Sequence, residues 1–363
     1  MGLPQIMGNE RELYTNAFAF VEDADPEQLE LFSEDVDDLG GKTFRCDKSV
    51  TRMLVVCTRQ SMLDLCDGNG PLSKELRRSM SNLLDRNPHS LRLGGRTLIL
   101  DRTLVMGILN VTPDSFSDGG LHDSLESALV RAHEMVDEGA DIIDIGGEST
   151  RPGSDPVSER VEMARVIPVV RRVVEELDVP VSIDTRRAEV ARRALEEGAS
   201  MVNDVTGLRE DGMVELAAET DLPFVIMHMR GEPRTMQVDI HYDDVVGDIL
   251  LSLHRNLNRA VKAGVDPDNM IIDPGIGFGK TVDNNLEILR RLGEFRCVGL
   301  PILVGPSRKA FIGRILDLPA EQRIEGTLSA MVASILNGAD MVRVHDVREA
   351  NRASRIADEI RRS

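Results

Sequence analysis

Polar residues stand at the ends of a series of apolar stretches in this sequence. Their side chains could bind a flat, nitrogen-rich ring. One stretch ends at Asp184, and later ones end at Asn203 and Asp273. Carboxylates and amides accept hydrogen bonds from ring N–H and amino groups, as they do on guanine-type edges. Lys309 could donate to a ring carbonyl or nitrogen, and the Arg343 guanidinium could stack on the ring face. These side chains predict a floor that binds a heterocycle.

A second group of residues has the chemistry of a site for a polyphosphate and a metal ion. Asn110 offers a neutral oxygen, a type of ligand that suits Mg²⁺. Hydroxyl and cationic donors for phosphate oxygens come from four residues: Thr150, Arg151, Arg343 and His345. The glycine-rich segment 276–280 lacks the Gly-Lys-Ser/Thr spacing of a P-loop. Its glycines are therefore expected to let the chain approach the pocket closely.

Simpler structural roles compete with these interpretations. An aspartate at a strand end can cap the following helix, and for Asp184 alone this alternative stays open. His345 taken alone is more often a cap or core histidine, but its place beside Arg343 favours phosphate binding. Ser115 and Ser149 have no obvious histidine base in their sequence context, which argues against acyl transfer.

The elements that must position these residues alternate between strand and helix. Strands are expected near 103–109, 141–145, 180–184, 200–203, 223–227, 269–273, 301–304 and 340–344. Helices are expected near 124–138, 157–177, 187–197, 210–219, 242–263, 283–292, 322–337 and 347–361. Eight of each predict an α/β protein of the (β/α)8 (TIM) barrel class, in which the strand ends meet at one mouth. The alternative is an open doubly wound sheet, but no Gly-x-Gly-x-x-Gly follows the first strand.

The first 88 residues are expected to form an extension of unknown role, either a small α+β unit or a partly flexible segment. A strand is predicted at 53–56 and an amphipathic helix at 73–84. Residues 89–363 are assigned to the barrel. Two short alternating runs around paired glycines in 91–100 predict a β-hairpin, placed to plug the end of the barrel away from the site.

Composition restricts the partners and the compartment. The formal net charge of −19 argues against nucleic acid or an anionic membrane as a partner. No run of about 18 apolar residues occurs, and the first ten residues lack a signal-peptide pattern, so a cytoplasmic protein is expected. The four cysteines include no Cys-x-x-Cys pair, which favours ordinary thiols over a zinc site.

The ordered set of motifs from about Leu91 to the C-terminus closely resembles the dihydropteroate synthases, enzymes of the folate pathway. The motifs that carry the resemblance are Asn110-Val-Thr-Pro-Asp-Ser-Phe-Ser-Asp-Gly119, Gly147-Glu-Ser-Thr-Arg-Pro-Gly153, Ser182-Ile-Asp-Thr185, Asn203-Asp-Val-Thr-Gly207, Met227-His-Met-Arg-Gly231, Asp273-Pro-Gly-Ile-Gly-Phe-Gly279, Ser307-Arg-Lys309 and Arg343-Val-His-Asp346. The resemblance implies condensation of 6-hydroxymethyl-7,8-dihydropterin diphosphate with 4-aminobenzoate, which releases diphosphate. It also implies Mg²⁺ as cofactor, an SN1-like step and a homodimer.

By motif position, the resemblance also implies roles for single residues. Pterin-binding residues would be Asp184, Asn203, Asp273 and Lys309, with Arg343 stacked on the ring. Asn110 would bind Mg²⁺, and the diphosphate would contact Thr150, Arg343 and His345. Loops that carry Phe116 and Arg151-Pro152 would close over 4-aminobenzoate. The residues assigned to catalysis are Lys309, Asp184 and Arg151.

Three other functions compete with this one. A pterin-binding methyltransferase domain would share the barrel and the acidic floor, but its chemistry needs no diphosphate site. A non-catalytic pterin-binding paralogue would not be expected to keep Asn110, Arg151, Lys309 and His345. A synthase for a substituted arylamine stays open because Ala310 stands where many members of the family have a serine that contacts the aminobenzoate carboxylate.

Overall fold

The described parts of the chain fall into two compact units. The computed structural model describes residues 16–21, 29, 32–33, 36–38, 42–45, 53–58, 65, 90–112, 121–149, 154–232 and 234–363. The first unit is 1–86 with 244–251 and 291–299, and the second is the remainder. The predicted boundary at 88 lies near the first break, but the sequence did not indicate the two later segments of the first unit. No helix among the described residues is long and apolar enough to cross a membrane.

In the first unit, three short antiparallel strands form a sheet. They are β1 (Asn16–Val21), β2 (Lys42–Arg45) and β3 (Met53–Thr58), with β3 in the centre. The strand predicted at 53–56 is confirmed, and Val55 of β3 is fully buried. The helix predicted at 73–84 lies outside the described residues.

Eight parallel strands of the second unit form one sheet that closes on itself. They are β6 (Leu104–Asn110), β7 (Ile142–Gly146), β8 (Val181–Asp184), β9 (Met201–Asp204), β10 (Phe224–Met227), β11 (Met270–Asp273), β12 (Leu303–Val304) and β13 (Met341–Val344). Their order is β11-β10-β9-β8-β7-β6-β13-β12. A parallel bridge from Ile272 to Ile302 joins the two outer strands. The predicted barrel is therefore confirmed, and the open doubly wound alternative is wrong.

A helix follows each barrel strand. The helices are α1 (Leu121–Glu138), α2 (Glu159–Glu176), α3 (Ala188–Glu196), α4 (Met213–Glu219), α5 (Val245–Lys262), α6 (Val282–Arg290), α7 (Ala310–Leu316), α8 (Ile324–Leu336) and α9 (Val347–Arg362). Among them, α7 was not predicted, because the predicted set had a single helix after each strand and two helices follow β12. The other eight overlap their predicted ranges.

The lower part of the barrel interior is apolar. Successive residues of a strand face opposite sides, so every second side chain enters the barrel. The first inward residues of most strands pack with a hairpin formed by β4 (Ser90–Leu93) and β5 (Arg96–Ile99). The buried members of this lower cluster are Leu91, Leu93, Leu100, Leu104, Met106, Ile142, Met201, Val225, Ile271, Leu303 and Met341. The hairpin thus covers the end where the strands begin, as predicted.

Candidate active site

The residues predicted for the ring-binding floor gather at the other end of the barrel. Asn203, Asp273 and Arg343 each stand two positions along their strand from an inward residue of the lower cluster, so they face the interior too. The side chain of Asp184 meets Arg343 there. This upper polar layer consists of Asp144, Asp184, Asn203, Asp273 and Arg343. Asp144, Asn203 and Asp273 are each less than 7% exposed. Ionisable groups that are desolvated together have shifted pKa values, as functional sites often do.

Arg343 is held by two carboxylates on other strands. Its Nε donates to Asp144 Oδ2 at 2.5 Å, and its Nη2 donates to Asp184 Oδ2 at 2.5 Å. Burial raises the pKa of Asp184 to about 7, although the charge of Arg343 acts in the opposite direction. The two acids therefore occupy one edge of the Arg343 guanidinium.

Asp184 does not cap the next helix. The residue before α3 is Arg187, and no side-chain bond caps that helix. Asp184 turns into the barrel instead and meets Arg343. The capping alternative that the sequence left open is therefore wrong for this residue.

Asp144 joins two residues of the predicted floor. In addition to Arg343, its Oδ2 accepts a hydrogen bond from Asn203 Nδ2 at 3.0 Å. Its Oδ1 is buried and has no hydrogen-bond partner among the described residues. Asp144 lies in the strand predicted near 141–145, but the sequence gave this residue no role.

Asp273 and Lys309 form the opposite side of the floor. Gly275 N–H donates to Asp273 Oδ1 at 2.6 Å. Burial raises the pKa of Asp273 to about 6, and burial lowers the pKa of Lys309 to about 8. Lys309 Nζ lies 4.0 Å from the centre of the Phe278 ring, a cation–π distance. The carboxylate, ammonium and aromatic ring together offer an acceptor, a donor and an apolar face to a ligand.

The glycine-rich loop after β11 approaches the site closely, as predicted. Gly277 has a positive φ, and a Cβ at this position would lie 3.0 Å from Cδ of Lys309. At the end of the loop, the buried Lys280 Nζ contacts His228 Nδ1 and the Phe278 carbonyl, each at 3.0 Å. Burial lowers the pKa of Lys280 to about 7. The sequence gave no signal for this Lys280–His228 pair, whose contacts fix the loop that carries Phe278.

His345 lies beside the floor as a neutral imidazole rather than the expected cation. Its backbone N–H donates to Ser307 Oγ at 3.2 Å, and Ser307 Oγ lies 2.9 Å from Nδ1. Either atom can be the donor in the bond between Ser307 Oγ and Nδ1, because a hydroxyl that accepts one hydrogen bond can still accept or donate another. Burial lowers the pKa of His345 to about 3. His345 therefore has one ring N–H and no positive charge, and Nε2 donates to an anion only in the tautomer that has the proton on that nitrogen.

The remaining predicted residues are described only in part. Asn110 is the half-buried last residue of β6. Phe116, Thr150, Arg151 and Pro152 lie outside the described residues. Within the described ranges, no group of three or more His, Cys, Asp or Glu side chains could hold a metal ion.

An open cavity of about 300 Å³ lies against one edge of the floor. Its walls include Asp184 but not Asn203, Asp273, Lys309 or Arg343. Most of its lining comes from residues that follow β7 to β10, among them Glu148, Thr185, Arg209 and Glu232. The cavity therefore borders the predicted ring-binding residues rather than enclosing them.

Comparison with known proteins gives consistent matches. Residues 106–345 match the family described as pterin binding enzyme. The dihydropteroate synthase of Bacillus subtilis is 52% identical over 259 residues, which cover 71% of this chain and 88% of that protein. The crystal structure of the Yersinia pestis dihydropteroate synthase with a sulfonamide drug superposes with a TM-score of 0.73 at 45% identity, covering 76% of this chain and all of that one. The Xanthomonas albilineans enzyme with 4-aminobenzoic acid gives a TM-score of 0.72 at 42% identity, over 76% and 99% of the two chains.

Proposed function

The chain belongs to the dihydropteroate synthase family of pterin-binding enzymes, and from this premise we propose its substrates, its mechanism and its site residues. The substrates are 6-hydroxymethyl-7,8-dihydropterin diphosphate and 4-aminobenzoate, and the products are 7,8-dihydropteroate and diphosphate. A solved relative holds 4-aminobenzoic acid, which supports the second substrate. The observation that carries the proposal is the upper polar layer, a set of hydrogen-bonding groups collected at one end of a closed barrel.

The floor binds the pterin ring through complementary hydrogen bonds. Asp184 and Asp273 accept from ring N–H and amino groups, and Lys309 donates to the ring carbonyl or a ring nitrogen. Arg343 offers its guanidinium face to the ring while its edge stays bound to the two acids. Several contacts in different directions fix the orientation of the ring, whereas one carboxylate alone could not fix it.

The reaction is an SN1-like substitution at the exocyclic methylene carbon. The C–O bond breaks first, and its electron pair leaves with the diphosphate. Nearby Asp184 and Asp273 stabilise the cation that remains on the pterin, while the donors Thr150, Arg343 and His345 stabilise the departing anion. The arylamine nitrogen then forms the C–N bond and releases a proton. The loops that bear Phe116, Arg151 and Pro152 exclude water during this interval.

Magnesium fits the mouth of the barrel as a cation that is held mainly by substrate. Mg²⁺ keeps several waters and commonly takes only one or two protein ligands beside phosphate oxygens. Asn110 supplies one neutral oxygen at the rim. When bound, the ion would neutralise negative charge on the diphosphate.

The direct test is synthesis of the product. The protein is incubated with pterin diphosphate, Mg²⁺ and 4-aminobenzoate, and dihydropteroate is measured by mass spectrometry. Product in the complete mixture, and none when either substrate is omitted, is the expected result. Pterin binding without product would favour the non-catalytic paralogue. Transfer of a methyl group from a methylated folate would favour the methyltransferase.

The enzyme is further proposed to act as a homodimer. The C-terminal helices carry large exposed apolar side chains, among them Leu336 on α8 and both Ile356 and Ile360 on α9. Apolar surface of this kind is often covered by a second copy. Light scattering after size-exclusion chromatography should give about twice the mass of one chain, and a monomer mass would contradict the proposal.

A further inference from the structure

We infer that Asp144 is a positioning residue for the pterin site, which holds Arg343 and fixes the direction of the Asn203 amide. This inference rests on the proposed function, because its effect is read in dihydropteroate synthesis. Asp144 is the third of the five residues of β7, inside the strand and below the rim. Its side chain is fully buried, so it acts on a substrate through its neighbours.

The first neighbour is Arg343. Asp144 and Asp184 bind different nitrogens of one guanidinium, at 2.5 Å each. A planar group that is bound at two nitrogens cannot turn about a single contact, so its face is oriented before a ring arrives. Without Asp144, only the bond to Asp184 would remain on that edge, and the guanidinium could rotate.

The second neighbour is Asn203. Its amide has a donor end and an acceptor end of nearly the same shape. The Asp144 carboxylate accepts hydrogen bonds, so Asn203 must turn Nδ2 toward it, and the two atoms are 3.0 Å apart. The carbonyl Oδ1 is then the end left for a ligand. A ring edge that lies against Asn203 must therefore present an N–H donor, which makes the pair a specificity element.

Both hydrogen bonds of Asp144 are made by one of its oxygens. The buried Oδ1 has no partner among the described residues, so the contacts with Arg343 and Asn203 depend on Oδ2 alone. Ser182 is the register partner of Asp144 on β8, and its buried Oγ also lacks a partner among the described residues. Because it does not bind Arg343 or Asn203, Ser182 provides a matched control at the same level of the barrel.

The test compares steady-state kinetics of the wild type with Asp144→Ala, Asp144→Asn and Ser182→Ala. For Asp144→Ala, the KM for pterin diphosphate should rise roughly ten- to hundredfold, while the KM for 4-aminobenzoate changes by less than about twofold. Asp144→Asn should recover most of the loss, because its amide oxygen can accept from both neighbours. Ser182→Ala should match the wild type. A residue needed only for folding would lower the active fraction and leave both KM values unchanged.

A double-mutant cycle tests whether Asp144 acts through Asn203. In an Asn203→Ala background, Asp144→Ala should reduce kcat/KM by clearly less than it does alone, whereas Ser182→Ala should combine multiplicatively. The inference would be overturned if Asp144→Ala had a KM for pterin diphosphate within about twofold of the wild-type value. Multiplicative losses of kcat/KM in the cycle would overturn it as well.

Folding failure of one variant does not remove the test. If circular dichroism shows that Asp144→Ala is unfolded, Asn203→Asp is compared with the swap Asp144→Asn plus Asn203→Asp. The single variant Asn203→Asp places two carboxylates next to each other. In the swap, the amide at position 144 can donate to the carboxylate at position 203, so the activity of the swap should exceed that of the single variant. No recovery would contradict the inference. If the wild type has no turnover, the proposed function is contradicted rather than this inference. Calorimetry would then compare the affinities of the wild type and the same variants for the free pterin.

Discussion

The two ends of the barrel interior use the same strands in opposite ways. Where the strands begin, side chains such as Met106 and Ile142 pack with the β4–β5 hairpin in an apolar cluster. Two residues further along one of those strands, Asp144 faces the same interior and binds Arg343. One alternating pattern thus builds both a core and a polar site. The change from one to the other takes a single step of two residues along β7.

This contrast teaches that the barrel separates stability from function. Burying one large aliphatic side chain of the lower cluster stabilises the fold by about 1.5–3 kcal/mol. Burying a carboxylate has the opposite effect unless it is paired, and burial displaces the pKa of Asp184, Asp273 and Lys309 from their ordinary values. The upper layer is therefore expected to reduce stability in exchange for binding, and substitutions in the two layers should have different consequences.

The largest effect is expected from removal of charged groups in the upper layer. Lys309→Ala and Asp184→Asn should each reduce kcat/KM by at least about 10³-fold, because both remove contacts to the reacting pterin. Their circular dichroism spectra should match that of the wild type. Near-normal rates in either variant would refute the assigned roles.

The lower cluster should give the reverse result. Met106→Ala removes a fully buried side chain and should lower the free energy of unfolding by about 2–5 kcal/mol. Both KM values of the folded protein should stay unchanged. Denaturant unfolding measures the first quantity and steady-state kinetics the second. A selective rise in the KM for pterin diphosphate would break the proposed separation of the two layers.

The pH dependence of stability should also reveal the upper layer. The pKa of Asp184 is about 7 in the folded state against an ordinary value of 3.8, so the folded state binds more protons between these values. Wild-type stability should therefore fall as pH rises from about 4 to about 7. Asp184→Asn lacks this group, so its melting temperature relative to the wild type should increase from pH 5 to pH 7.5. A constant difference would contradict the raised pKa.

A smaller effect is expected at the rim. Asn110→Ala should weaken Mg²⁺-dependent binding of diphosphate about tenfold, because it removes one oxygen ligand of several. Binding of the free pterin should not change, since Asn110 lies outside the floor. Calorimetry with and without Mg²⁺ measures both. Equal weakening of pterin binding would show that Asn110 belongs to the floor instead.

The smallest effect is expected beyond the floor, at the start of α7. Ala310→Ser adds a hydroxyl where many family members have one, so the KM for 4-aminobenzoate should fall by a few fold. The KM for pterin diphosphate is the internal control. A higher KM for 4-aminobenzoate would indicate that this chain prefers a different arylamine.

Sequence reasoning found residues whose roles depend on strand position, and it missed those that depend on contacts between distant side chains. Asp273 and Asn203 could be placed at the mouth because they end apolar strands that alternate with helices. The role of Asp144 depends on a bond to a residue 199 positions away, which no local pattern encodes. The lowered pKa of His345 likewise depends on burial and on the charge of Arg343.

The most direct test of the account is a crystal structure of the protein with bound 6-hydroxymethylpterin. The account predicts that the ring lies in the upper polar layer, with hydrogen bonds to Asn203, Asp273 and Lys309. A ring bound only in the adjacent cavity, against Glu148 and Arg209 and away from those three residues, would contradict it.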